Sequence, residues 1–173
     1  MINRVGYHGT DSNRIARAAG YAPGTFYKHF PDKRAILLAA YEEWVSAEWR
    51  AVEAALQAGG GAEQLARRIV DLVLRWHRRW RGLRSSLLSL VGTDMEVRRF
   101  YREQRRRQLR MLAALRAAAH GAPHTAEEDA VLLFTLERTG DAIANGELRD
   151  LGLRIAPTVS LLRTLVQRYL TRP

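Results

Sequence analysis

The stretch Ala19-Gly20-Tyr21-Ala22-Pro23-Gly24-Thr25-Phe26-Tyr27-Lys28-His29-Phe30 crowds two glycines, a proline, a hydroxyl residue, a lysine and a histidine among aromatic rings. Residues of these types hydrogen-bond and neutralise charge; they do not by themselves make or break bonds. Their spacing is specific. Gly20 follows Ala16 by four residues and Phe26 follows Gly20 by six, which is what a helix-turn-helix requires. A small Ala16 lets two helices approach, Gly20 takes the positive φ of the turn, and Phe26 packs the second helix onto the first. Ile15, Ala19 and Tyr21 complete the internal face, with Phe30 in the core beside Phe26. Such a unit projects its second helix into the major groove of DNA, where its N-terminal residues meet base edges while flanking groups hold phosphates.

The other residues that could do chemistry are poorly placed for it. There is no cysteine, hence no thiolate metal site and no cysteine nucleophile. No Glu-x-x-His pair suits a di-metal bundle, and no His-Glu-x-x-His suits zinc. His120 and His124 stand four apart, but Gly121 and Pro123 between them break the helix that would aim both at one ion. His77 lies among tryptophans and arginines as a packing residue, and Glu127, Glu128 and Asp129 occupy a first helical turn that favours acids. The sequence predicts no enzyme, no metal and no cofactor.

The elements that position the motif are all helical. Helix formers dominate and no alternating β-branched run has strand length, so the expected fold class is all-α. Thr10 or Asp11 caps a short helix ending at Gly20, Pro23 opens the second, and Pro31-Asp32 stops it and caps a third, over Lys33 to Leu56. After Gly59-Gly60-Gly61 come helices over Ala62 to Trp80, broken by Gly82, then Leu83 to Val91, then Asp94 to Ala119. A loop at Gly121-Ala122-Pro123 precedes a helix from Thr125 to Asn145; a loop over Gly146 to Pro157 precedes the last, which ends at Leu170. Residues 1–40 are thus expected to form a helix-turn-helix domain and 41–173 a helical domain for ligand binding and dimerisation, with the third helix joining them.

A chain of 173 residues with 47% hydrophobic content can bury a sizeable core. The net charge is +10, nearly all of it arginine, since Lys28 and Lys33 are its only lysines. That balance points to a polyanionic partner. No segment reaches membrane-spanning length and the start has no signal pattern, so no membrane partner and a cytoplasmic location are expected.

The segments Gly6-Tyr7-His8-Gly9-Thr10 and Ile15 to Leu37, with the Gly-Thr-Phe-Tyr-x-His-Phe-x-x-Lys signature from Gly24 to Lys33, closely resemble the DNA-binding domain of TetR-family transcriptional repressors. The resemblance covers about a quarter of the chain; the later helices match that family in number, length and order. It implies a double-stranded DNA operator, a small-molecule effector and a homodimer. Position by position it puts Gly24, Thr25 and Lys28 against bases: the glycine for close approach, the threonine for its hydroxyl and methyl, the lysine for guanine acceptors or a phosphate. It assigns Tyr27, His29 and Lys33 to phosphates, Asn13 to a base and Arg14 to a phosphate. Three departures accompany it. Only Met1 to Val5 precede Gly6, so either the chain is cut short at its start or the small domain is incomplete; with its first helix truncated, Ile15, Phe26 and Phe30 are expected to be partly uncovered, at about 1.5 to 3 kcal/mol each. Ala22 stands where the family favours a serine cap, and Asp11 where a hydroxyl residue is usual.

In the remainder, Leu65, Ile69, Leu72, Trp76 and Trp80 form one apolar stripe, and Val97, Phe100, Tyr101, Met111, Leu112 and Leu115 another. Gln104 and Gln108 interrupt the second stripe on its apolar face. With Trp76, Trp80, Phe100 and Tyr101 as walls, the two amides are candidate orienting groups for a largely apolar ligand. The run Ala130 to Leu136 is apolar all round and, with Ser160 to Leu170, predicts a dimer interface through the last two helices. Two rival readings remain: a helical ligand-binding or interaction protein that has lost DNA binding, and an anionic-surface binder acting through Arg102 to Arg110, a run that solvation of an outer helix face also explains.

Overall fold

The computed structural model describes residues 1–118 and 124–171, with the backbone alone for 115–118. Ala119, His120, the Gly121-to-Pro123 loop and the side chain of Leu115 lie outside the described residues. Among those described the chain is helical, without strands: α1 (Ile2–Val5), α2 (Ser12–Ala18), α3 (Pro23–His29), α4 (Lys33–Gln57), α5 (Ala62–Val91), α6 (Met95–Ala118), α7 (Ala126–Asn145), α8 (Glu147–Asp150) and α9 (Ile155–Thr171).

Local chemistry sets most of the boundaries. The Asp11 carboxylate accepts from the Arg14 N–H at 2.8 Å and caps α2; Thr10 turns inward instead, its hydroxyl donating to the Met1 sulfur. At the far end, the Gly20 N–H donates to the Arg17 carbonyl and the Tyr21 N–H to the Ala16 carbonyl, both at 3.0 Å, with Gly20 at φ +80°. This pair of bonds satisfies the last carbonyls and reverses the chain. Pro23 is the first residue of α3, where its missing N–H costs nothing. Asp32 accepts from the Ala35 N–H at 2.7 Å and opens α4. Asp94 does the same for α6, and Thr125 with Glu128 forms a reciprocal capping box on α7.

Three elements differ from the expected ones. The break placed at Gly82 is a kink at Trp80 (φ −110°, ψ 17°) within one continuous α5. Gly82 serves another purpose, because a Cβ there would overlap the backbone carbonyl of Asn3. The loop expected from Gly146 to Pro157 contains the single-turn α8, and α9 begins at Ile155 with Pro157 in its first turn, where no N–H is needed.

The chain packs as two compact units. The first comprises residues 1–46 and 80–104, with Ile2, Ile15, Phe26, Leu37, Tyr41, Leu87 and Val97 buried in it. The second comprises 47–79 and 105–173, around a core of Ile69, Val70, Val73, Leu132, Leu136, Ile143, Leu162 and Val166. No helix of the described residues is long and apolar enough to cross a membrane.

Candidate functional site

In the first unit, α2 and α3 pack against each other through Ile15, Ala16 and Phe26, all buried. The expected uncovering of Ile15 and Phe26 is not found: they are 8% and 6% exposed, and Phe30 is half-buried, its ring 5.7 Å from that of Phe26. The one-turn α1 buries Ile2 and adds polar docking. The Leu83 N–H donates to the Asn3 side-chain carbonyl at 3.0 Å, the Tyr7 N–H donates to the Ser86 hydroxyl at 3.0 Å, and the bare Cα of Gly82 admits the Asn3 backbone.

Tyr21 is a correction. The spacing put it on the internal face, but its ring is 61% exposed. Gly20 takes a positive φ and the Tyr21 N–H bonds to the Ala16 carbonyl, so the helical register that assigned Tyr21 its face ends one residue before it.

With its packing side sealed, α3 presents Gly24, Tyr27, Lys28 and His29 to solvent, with Thr25 half-buried. Tyr27 is 54% exposed although its ring meets that of Phe26 edge-on. A Cβ on Gly24 would meet nothing within 4 Å, and its φ is not positive. Nothing inside the protein therefore requires a glycine there. Asn13 and Arg14 are exposed on α2, with Arg14 donating to the Gly9 carbonyl at 3.0 Å.

Lys33 is placed differently from the others. Its ammonium donates to the carbonyls of Tyr7 and Thr10, each at 2.7 Å, and lies 4.1 Å from the centre of the Tyr7 ring. Two of its three N–H groups thus pin the α1–α2 connection to the start of α4. Next to it, Arg34 pairs with Asp94 at 3.2 Å and Glu96 at 2.6 Å, and with Asp32 at 3.4 Å. The Asp94 carboxyl is held below the usual carboxylate range, first by the Val97 N–H and then by Arg34 and the Glu96 N–H, against the opposing effect of burial. The hydrogen bond to Asp94 raises Arg34, so the pair stays charged. Burial, reinforced by the charge of Asp32, pushes the Tyr7 phenol up. Sequence reasoning missed Tyr7, Arg34 and Asp94 as a brace behind the helix-turn-helix; the available signal was the tyrosine of the quoted Gly6-to-Thr10 segment.

The predicted ligand residues divide between the units. Trp80, Phe100, Tyr101 and Gln104 belong to the first, Trp76 and Gln108 to the second. The four aromatics are half-buried, and both glutamines are buried as the helical period requires. Their amides have different fates. Gln108 donates to Glu137 at 3.2 Å and accepts from Arg105 at 3.1 Å, and Arg105 pairs directly with Glu137. The side-chain oxygen of Gln104 is buried without a hydrogen-bond partner. Elsewhere in the second unit, His77 pairs with Asp141 at 2.9 Å, packed against Gly140. His124 stacks on Tyr169, whose hydroxyl donates to Asp129 at 2.5 Å.

On α7, Leu132, Leu133 and Leu136 are buried while Val131 and Phe134 are 63% and 51% exposed. On α9, Leu162 and Val166 are buried while Leu161 and Leu165 are 72% and 39% exposed. The two packed helices therefore each keep a second apolar side turned outward.

The first unit thus carries a helix-turn-helix with a buried rear face and a polar, cationic front. Residues 1–40 match the family model described as bacterial regulatory proteins, tetR family. No curated protein matches the chain in sequence. Among solved structures, a putative TetR-family transcriptional regulator from Rhodococcus sp. has a TM-score of 0.78 at 16% identity, over 98% of this chain and 92% of that one. The fatty acid degradation regulator FadR of Bacillus halodurans has a TM-score of 0.74 at 20% identity, over 99% and 91%. FadR of Bacillus subtilis, in complex with stearoyl-CoA, has 0.68 at 17%, over 98% and 92%. At these identities the likeness is one of fold.

Proposed function

We propose that the protein is a homodimeric repressor that binds operator DNA through α2 and α3 and leaves it when a small, largely apolar effector binds. The observation that carries the reading is the two-sidedness of α3. Phe26 is buried behind it, while Tyr27, Lys28 and His29 are exposed in front, beside a glycine that the protein's own packing does not require. Gly24, Thr25 and Lys28 meet base edges, Tyr27 and His29 hold phosphates, and Asn13 and Arg14 extend the contact from α2. Lys33 keeps one N–H for a phosphate while bracing the domain.

The outward apolar sides of α7 and α9, Val131, Phe134, Leu161 and Leu165, pair with those of a second copy. Two recognition helices then read half-sites one helical turn apart. The effector is held within the first unit by Trp80, Phe100 and Tyr101, with a donor to the orphaned Gln104 oxygen. The stearoyl-CoA held by a regulator of the same fold supports an effector with a long apolar part. Effector binding shifts the population away from the spacing that fits DNA.

The test is a binding isotherm against duplex DNA at a series of salt concentrations. Affinity is expected to fall steeply with salt, and Lys28→Gln to flatten the slope by about one ion. Salt-insensitive binding, or a slope unchanged by Lys28→Gln, overturns the reading. Lys28 is the residue to change, because removing Lys33 would also release the carbonyls of Tyr7 and Thr10.

A further inference from the structure

Most of the Tyr21 surface lies outside the protein's own packing. Its backbone is fixed by the turn after α2, its ring is 61% exposed, and among the described residues its hydroxyl has no hydrogen-bond partner. A ring this large standing in water at a rigid turn gives up the burial that an aromatic side chain ordinarily contributes. What distinguishes it from a stray surface residue is its position. It lies two residues before Pro23, so Tyr21 stands just outside the N-terminal end of α3 and Tyr27 in its last turn, both more than half exposed. Seven helical residues span about 10 Å, and the major groove is about 12 Å wide between its phosphate walls. A helix of this length lying in the groove brings each end close to one wall.

We propose that Tyr21 is a further DNA contact, its phenolic hydroxyl donating to a backbone phosphate on the groove wall opposite the one that Tyr27 reaches. The contact rests on the DNA-binding reading above. It fixes the angle at which α3 enters the groove and carries no sequence information of its own. Because the phenol is neutral, the bond releases no additional counterion, which separates its signature from that of Lys28.

The experiment compares wild type, Tyr21→Phe and Lys28→Gln on a duplex selected from a random-sequence pool by the wild-type protein and on a mixed-sequence duplex, over a range of salt. Tyr21→Phe is expected to weaken binding about three- to tenfold on both duplexes with an unchanged salt slope. Its melting temperature should equal that of wild type, since the hydroxyl bonds to nothing in the fold. Ethylation of single phosphates on the selected duplex should identify one per half-site whose modification weakens wild type but not Tyr21→Phe. Equal binding by wild type and Tyr21→Phe overturns this proposal alone, as does a loss confined to the selected duplex. Absence of salt-dependent binding by wild type overturns it together with the function on which it rests.

Discussion

Gly24→Ala should make the folded protein more stable and the DNA complex weaker, and the two effects can be worked out separately. Gly24 is the second residue of α3, at a helical φ, and an added Cβ meets nothing within 4 Å. Alanine then fits without strain and gains by narrowing the unfolded ensemble, about 0.4–1 kcal/mol. For a chain of this size that is a rise in melting temperature of about 1–4 °C. On DNA the sign reverses. If α3 enters the major groove by its N-terminal end, the added methyl occupies the space that the backbone of residue 24 must share with base edges. Displacing one good base contact costs about 1–3 kcal/mol, about a five- to 150-fold loss of affinity. Thermal unfolding by circular dichroism and fluorescence anisotropy on a selected duplex measure the two quantities on one sample. A Gly24→Ala protein that melts lower than wild type shows that the fold itself needs the glycine. One that binds DNA as tightly shows that residue 24 does not approach the groove. Either result refutes the argument.

Three further outcomes follow from the packing. Asp94 caps α6 and pairs with Arg34, so Asp94→Ala should cost about 1–2 kcal/mol in urea unfolding at pH 7. Because the folded-state carboxyl titrates below its unfolded value, the stability it adds is present above pH ~3.9 and disappears as pH falls through the lowered value. The gap between wild type and Asp94→Asn should therefore narrow below pH ~4, and a gap constant with pH would refute the assignment. Gly82→Ala should cost about 1–3 kcal/mol, because its methyl collides with the Asn3 carbonyl, and hydrogen exchange at the Leu83 N–H should accelerate as its bond to Asn3 is lost; unchanged protection there would show that α1 is not seated on that glycine. Glu137→Ala leaves the Arg105 guanidinium and the Gln108 amide without their shared acceptor and should cost about 3 kcal/mol or more, whereas the Arg105→Leu, Glu137→Leu pair should recover most of it. A double variant as unstable as the single one would show that the ion pair is not the origin of the loss.

What could be read from the sequence was what neighbours along the chain decide. Asp11, Pro23, Asp32 and the Thr125–Glu128 box set helix starts through bonds that reach three residues or fewer. What could not be read depended on partners far away in the chain or on the rotation of a turn. Gly82 looks like a breaker on its own; only the carbonyl of Asn3, 79 residues earlier, gives it a different task. The helical period buried Gln104 and Gln108 alike, but an acid 29 residues beyond Gln108 occupies one amide and leaves the oxygen of the other unmatched. Tyr21 was misplaced because spacing assigns faces only while a helix continues. Once Gly20 takes a positive φ the register ends, and the next side chain points where the turn sends it.

The Asn3 contact at Gly82 belongs to a polar brace behind the helix-turn-helix. Lys33 ties the α1–α2 connection to α4, Arg34 ties α4 to the cap of α6, and Asn3 and Tyr7 tie α1 and its connection to α5. Each contact is polar, made at a helix end or turn, and worth about 0.5–1.5 kcal/mol net. Any displacement of the start of α6 acts on Arg34, and through Arg34 on the first turn of α4, where Lys33 holds the connection leading into α2. Hydrogen bonds on either side of the covalent Lys33–Arg34 link therefore connect Asp94 to the segment leading into α2, and under the proposed function Asp94→Asn should alter the response to effector as well as stability.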